Sequence, residues 1–153
     1  MLARTLWKPL ALGAACVALA AVAGLRAAPT PGPEVTVYKS PTCGCCRKWV
    51  EHLRAAGFSV TAHDTSDLDA VRARYGVPRK LVACHTAVVQ GYVIEGHVPA
   101  DLIARLLKER PKVAGLAVPG MPASAPGMDM PSPARYDILT FDRTGATSRY
   151  ATR

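Results

Sequence analysis

The sequence predicts an α/β domain of the thioredoxin-like class, with the element order β-α-β-α-β-β-α. Two observations lead to this prediction. Short runs of β-branched and aromatic residues alternate with runs whose apolar residues recur at helical spacing, as in a sheet covered by helices. A cysteine-rich turn, Cys43-Gly44-Cys45-Cys46, lies between the first predicted strand and the first predicted helix. A parallel strand pair joined by that helix, followed by an antiparallel hairpin, would bury every apolar face.

The first half of the domain is predicted to contain two strand–helix pairs. The predicted elements are a strand over residues 35–38, a helix from Cys45 to a stop at Gly57, a strand over residues 58–62 and a helix over residues 68–75. The strands are rich in β-branched and aromatic residues, which favour extended structure. Ser66 and Asp67 can cap the second helix, and Gly76 can end it.

The second half is predicted to contain a hairpin, a third helix and a terminal hairpin. Residues 81–94, interrupted at Gln90-Gly91, favour a β-hairpin, and the following helix begins after Pro99 and ends before Pro111. Residues 119–133 form a loop rich in methionine and proline that has no periodicity and cannot be a regular element. Residues 135–153 then favour a second β-hairpin as an extension of the domain.

Residues 1–28 have the pattern of a secretory signal peptide. Arg4 and Lys8 precede an apolar run over residues 10–25, and small residues follow at the expected cleavage point. This run is shorter than the ~20 residues that a membrane-spanning helix needs. We therefore expect residues 29–153 to form one thioredoxin-like domain in the periplasm. An uncleaved N-terminal membrane anchor is the alternative.

The charge distribution argues against a nucleic-acid partner. The chain has a formal net charge of +8, but its basic residues are scattered along the sequence and aromatic residues make up only 6%. A nucleic-acid footprint needs a basic patch or stripe. We interpret the positive charge as a solvated surface.

The cysteines point to metal binding or redox chemistry. Cys43, Cys45 and Cys46 lie at a predicted helix start, where unpaired N–H groups and the helix dipole favour thiolate over thiol. Thiolates bind soft metals and attack disulfides. Three sulfurs in one turn are more typical of a metal site than of a simple redox pair. Cys84, on a strand expected beside the first strand, can supply a fourth sulfur, and shared thiolates could hold more than one ion.

Two histidines are candidate metal ligands together with these sulfurs. His97 lies on the turn before the third helix. His85 follows Cys84 directly and would point to the opposite face of a regular strand, so it reaches the site only if the strand ends or bulges there. We expect His52 and His63 to be surface residues.

Methionines supply the other candidate ligands. All the methionines that follow the signal peptide lie in the loop of residues 119–133, namely Met121, Met128 and Met130. Thioethers are soft ligands that suit Cu(I). Met121 and Met128 are therefore predicted ligands, and Met130, nearest the terminal hairpin, is the weakest candidate. The alternative is a linker whose methionines have no role.

Three other functions are consistent with the cysteines. A thiol–disulfide oxidoreductase would use Cys43 as nucleophile and Cys46 as resolving thiol, with Val77-Pro78 as its cis-proline. A structural zinc site would use the thiolates but leave the methionines unexplained. Two structural disulfides would leave no reactive thiol. We favour a metal-binding protein over an enzyme and predict no catalytic residues.

Four segments of the sequence resemble the CopG-like copper-resistance proteins, a family also known as a domain of unknown function. These segments are residues 40–46, 83–87, 91–99 and 115–122. The resemblance implies a thioredoxin-like domain that binds copper through its cysteines, often as a multinuclear cluster, in periplasmic copper handling. It implies copper ions, as Cu(I), and other periplasmic copper-handling proteins as partners. The sequence departs from the family pattern in the Met/Pro-rich loop, where residues 123–126 occupy a position at which a glycine is expected.

Overall fold

The structure is a computed structural model that describes residues 31–128 and 130–153. Its elements are β1 (Glu34–Lys39), α1 (Gly44–Ala55), β2 (Ser59–Asp64), α2 (Leu68–Tyr75), β3 (His85–Val89), β4 (Tyr92–Glu95), α3 (Ala100–Glu109), β5 (Gly115–Ala117), β6 (Asp137–Phe141) and β7 (Thr147–Thr152). This order confirms the predicted α/β thioredoxin-like class. The predicted signal peptide, residues 1–28, lies outside the described residues.

The strands of the described part of the chain form one seven-stranded sheet in the order β2-β1-β3-β4-β5-β6-β7. β1 and β2 are parallel because α1 carries the chain back across one face of the sheet. β3 lies antiparallel beside β1, as predicted, and pairs with β4 in a hairpin. β5 then connects this part of the sheet to the terminal hairpin of β6 and β7.

Helices α1 and α3 cover the same face of the sheet. The main core contains side chains of both helices and of five strands, and its largest members include Trp49, Leu53, Ile94, Ile103, Leu106 and Leu116. A smaller cluster around Leu81, Val93 and Phe141 covers the opposite face. None of the helices in the described residues combines the length and the apolar character needed to cross a membrane.

The structure corrects two details of the predicted second half. The first strand of the hairpin begins at His85, not at Leu81, because Arg79–Leu81 forms a short 3₁₀ turn. β5 was not predicted, since a three-residue strand is too short to show alternation. The caps of α2 are as predicted: Asp67 accepts from the Ala70 N–H and Gly76 ends the helix.

The Met/Pro-rich loop contains no helix or strand in its described residues, as predicted. It does contain a compact turn. The Ala125 N–H donates to the Pro122 carbonyl and the Met128 N–H donates to the Ala125 carbonyl, both at 3.0 Å. Ala125 is buried. This turn packs against the rest of the domain and bears on the site described next.

Candidate metal centre

The cysteine-rich turn lies where β1 leads into α1, as predicted. Cys43 is the N-cap of the helix, and its sulfur accepts a hydrogen bond from the Cys46 N–H at 3.3 Å. The Cys43 N–H in turn donates to the Ser40 carbonyl at 3.2 Å, which closes the turn after the strand. The cysteine sulfurs therefore lie at the positive end of a helix, where negative charge on sulfur is stabilised.

The structure brings the four predicted cysteines together. Their sulfurs lie within 4.8 Å of one another. Cys43 and Cys46 form a disulfide, whereas Cys45 and Cys84 are free thiols. The Cys45 sulfur lies 3.4 Å from that of Cys43 and 4.0 Å from that of Cys84.

Cys84 also contacts the two predicted histidines. Its sulfur lies 3.4 Å from His85 Nδ1 and 2.9 Å from His97 Nε2. His85 can reach the sulfur because β3 begins only at His85, so strand alternation does not separate it from Cys84. This is the condition under which the sequence predicted His85 at the site. Cys84 is thus shared by a group of four sulfurs and a group of one sulfur and two imidazoles.

The site is closed on one side and open on the other. Cys46, His85 and His97 are buried, whereas Cys43, Cys45 and Cys84 are partly exposed. Burial, with a smaller contribution from Cys45, raises the pKa of Cys84 to about 12. Burial, together with His97, lowers the pKa of His85 to about 3. At neutral pH the site therefore holds a protonated Cys84 thiol and a neutral His85 imidazole with a lone pair available to a metal.

His85 has a ring nitrogen without a hydrogen-bond partner in the described residues, and a metal ion could bind this nitrogen. Its Nε2 atom is buried and has no hydrogen-bond partner within the described residues. The Trp49 ring packs against the imidazole at 4.3 Å between centroids, and the Trp49 Nε1–H donates elsewhere, to the Val98 carbonyl. An unsatisfied buried polar atom is costly. Sulfur and neutral imidazole donors suit a soft or borderline metal ion, so the residues present fit such an ion.

A buried ion pair supports the segment that carries Cys84 and His85, and sequence reasoning missed it. Glu95 Oε1 accepts from Arg72 Nε at 3.2 Å and from the Ala83 N–H at 2.8 Å. Glu95 Oε2 accepts from the Thr86 hydroxyl at 2.6 Å. The sequence signal that could have revealed it is a glutamate that ends the apolar run of β4, two residues before His97.

The remaining candidates lie around this centre. Met121 is 59% exposed and Met128 is half-buried, and their role as ligands remains a prediction. His63 is exposed, as predicted, and stacks on Tyr38. His52 is half-buried instead of exposed, and its Nε2 accepts from the Ala100 N–H at the start of α3, at 3.1 Å.

Comparison with known proteins points to copper resistance. A family profile described as a protein of unknown function, DUF411, matches residues 81–128. Two solved structures of "Copper resistance protein copG", Form 1 and Form 2, are 42% and 41% identical to this chain with a TM-score of 0.75 each. Each alignment covers 80% of this chain and 98% of the solved chain. No curated protein matches the chain.

Proposed function

We propose that this chain, which belongs to the CopG family of copper-resistance proteins, binds Cu(I) at the sulfur and imidazole centre. The proposed ligands are Cys43, Cys45, Cys46, Cys84, His85 and His97, with Met121 and Met128 as further candidates. The observation that carries the proposal is the position of Cys84, whose sulfur belongs both to the four-sulfur group and to the group with two imidazoles. One thiolate can therefore be shared between ions.

The donor set favours Cu(I) over zinc. Thiolate and thioether are soft donors that suit Cu(I), and imidazole is a borderline donor that copper also accepts. A structural zinc ion takes four ligands in a closed tetrahedron. Four sulfurs and two imidazoles exceed that number, and the excess supports a thiolate-bridged cluster of more than one copper ion.

The full donor set requires the reduced protein. Among the four cysteines that the structure describes, the Cys43–Cys46 disulfide leaves Cys45 and Cys84 as thiols. A dithiol reductant supplied from outside the protein would donate two electrons and two protons to the disulfide, so that the Cys43 and Cys46 thiols are released and the reductant itself becomes a disulfide. Binding of Cu(I) then displaces the thiol protons, because the thiolate is the ligand. We therefore propose that the reduced form is the copper-binding form.

We place this function in the periplasm, on the pattern of residues 1–28. Exported proteins meet an oxidising environment, and a cysteine cluster survives there when a disulfide or a metal protects it. Other copper-handling proteins of the same compartment are the proposed exchange partners. The proposed role in copper resistance is to hold Cu(I) through its ligands, without a catalytic residue.

Metal analysis of the purified protein tests the proposal. The protein is isolated from the periplasm without added metal, and its copper and zinc contents are measured. A second portion is reduced and titrated with Cu(I) in competition with a chromogenic chelator. We expect copper at more than one equivalent per chain, and a Cys84→Ser variant should lose most of it. Zinc alone in the isolated protein, or no competition with the chelator, would overturn the proposal.

A thiol–disulfide oxidoreductase is the second candidate, and the disulfide between Cys43 and Cys46 favours it. This pair lies at a helix start, where the thiol pKa is commonly low enough for exchange. The predicted cis-proline is wrong, however, because the described residues contain no cis peptide bond and Val77-Pro78 is trans. Cys45, Cys84 and the two imidazoles also have no role in this function.

Insulin reduction separates the two candidates. We expect weak turnover by the copper-free protein and weaker turnover after copper loading, because metal-bound thiolates cannot attack a disulfide. A Cys43→Ser variant gives the background rate. Robust turnover that copper does not suppress would make the oxidoreductase the better proposal.

A further inference from the structure

We infer that the turn at Pro126 and Gly127, here called the Pro-Gly turn, is a positioning element for His97. It holds the imidazole in the tautomer whose Nε2 lone pair faces Cys84. The inference deepens the proposed function, since it rests on His97 being a copper ligand. It assigns the Met/Pro-rich loop a role that its main chain performs and that does not depend on its thioethers.

The tautomer follows from the partners of the two ring nitrogens. His97 Nδ1 lies 2.7 Å from the Pro126 carbonyl oxygen. A carbonyl can only accept, so Nδ1 carries the proton and donates it. In the neutral ring Nε2 is then unprotonated, and it lies 2.9 Å from the Cys84 sulfur, whose S–H donates to it. The nitrogen that faces the sulfur cluster is therefore the one that carries a lone pair; this lone pair accepts the Cys84 S–H here and would become available to a metal once that thiol loses its proton.

The position of the Pro126 carbonyl is set by close packing of Gly127 on α1. Gly127 has φ = +84°, and a Cβ atom there would lie 2.8 Å from both the Cys45 carbonyl oxygen and the Trp49 nitrogen. A glycine is needed on both counts, since a side chain would strain the backbone and collide with main-chain atoms. The Pro-Gly turn thus touches the helix that bears the cysteines and the histidine that faces them.

The hydrogen bond between Pro126 and His97 connects the loop to the metal site, although no side chain of the loop need bind the metal. Ligating histidines commonly donate their other ring N–H to a carbonyl or carboxylate, which fixes the ring orientation and raises its basicity. Pro126 supplies that carbonyl here. Any displacement of the turn from α1 would remove the hydrogen bond and let the His97 ring adopt the other tautomer, which presents an N–H to the sulfur cluster.

The loop itself provides a matched pair of variants. Gly127→Ala introduces the collision with α1. Gly120→Ala is the control, because Gly120 has a similar φ of +71° but a Cβ atom there meets nothing within 4 Å. Both variants carry the cost of a non-glycine residue in the left-handed region, so their difference isolates the contact with the helix.

The first measurement uses the metal-free, disulfide-containing protein with ¹⁵N-labelled histidine. Long-range ¹H–¹⁵N spectra, recorded at a pH where imidazoles are neutral, report which ring nitrogen carries the proton. The His97 signals are those lost in a His97→Gln variant. We expect the Nδ1–H tautomer in the wild type and in Gly120→Ala, and a mixture of tautomers in Gly127→Ala. A wild-type His97 in the Nε2–H form would overturn the inference even if Gly127→Ala did not fold.

The second measurement is Cu(I) affinity of the reduced proteins in competition with the chelator. We expect Gly127→Ala to bind about 10- to 100-fold more weakly than the wild type, the usual effect of losing an outer partner of a ligating histidine. Gly120→Ala should match the wild type. A mixed tautomer with unchanged affinity, or an unchanged tautomer in folded Gly127→Ala, would refute the positioning role. Failure of the wild type to bind Cu(I) would instead refute the proposed function, and the tautomer spectra would still decide whether the turn orients His97.

Discussion

Neutralising Glu95 should destabilise the protein far more than neutralising Asp69, although both carboxylates pair with Arg72. Glu95 is fully buried and the Arg72 side chain is only 11% exposed, whereas the Asp69 side chain is 93% exposed. The Glu95 carboxylate accepts hydrogen bonds from Arg72, from the Ala83 N–H and from Thr86. Burial raises the pKa of Glu95, and these donors oppose that shift because they favour the ionised form.

The expected size follows from what Glu95→Gln removes. The amide oxygen can still accept from the Ala83 N–H, and the amide nitrogen can donate to the Thr86 hydroxyl after that hydroxyl rotates. Arg72 loses its buried charged partner, keeps only the exposed Asp69 as an ion-pair partner and stays largely buried. Removal of one member of a buried ion pair costs about 3–5 kcal/mol. The retained hydrogen bonds favour the lower end, so we expect the free energy of unfolding to fall by about 3 kcal/mol.

Urea unfolding of the disulfide form measures this change, with Asp69→Asn as the matched control. The exposed pair of Asp69 with Arg72 should contribute only about 0–1 kcal/mol. Glu95→Gln should also weaken Cu(I) binding by the reduced protein, because Arg72, which loses its buried carboxylate partner, donates to the carbonyl of Ala83, the residue before Cys84. Equal losses of less than about 1 kcal/mol in both variants would show that the buried pair does not support this segment.

Three further predictions concern the ligands. A Cys45→Ser variant should lose far more than a quarter of the Cu(I) capacity, since shared ligands are not additive; full retention by chelator competition would contradict a four-sulfur site. The His85 pKa of about 3, against an ordinary 6.5, means that the unfolded chain takes up a proton which the folded chain excludes. The free energy of unfolding should therefore fall by about 2 kcal/mol from about pH 7 to pH 5, and His85→Gln should lack this part of the slope. If Met121 is a ligand, Cu(I) should slow hydrogen exchange over residues 119–130, and Met121→Ala should abolish that protection while Met130→Ala keeps it.

Most of the fold was predictable because it depends on patterns between near neighbours in the chain. The turn from β1 into α1 follows from the strand-like run before the cysteines and from the helical spacing of the apolar residues after them. The caps of α2 at Asp67 and Gly76 follow from the conformations that these residue types favour. β5 escaped prediction because its three residues form a strand only through pairing with β4 and β6.

The sequence by itself determined the composition of the centre: three cysteines at a helix start, a fourth beside a histidine, and a second histidine before α3. Tertiary structure decided how these groups face one another. Cys84 meets His97 because the start of β3 and the turn after β4 are adjacent in the sheet. The Pro126 carbonyl reaches His97 across 29 positions of chain, and no local pattern encodes that contact. Local conformation follows from backbone sterics and spacing, whereas the state and orientation of each donor depend on burial and on partners that only the folded chain supplies.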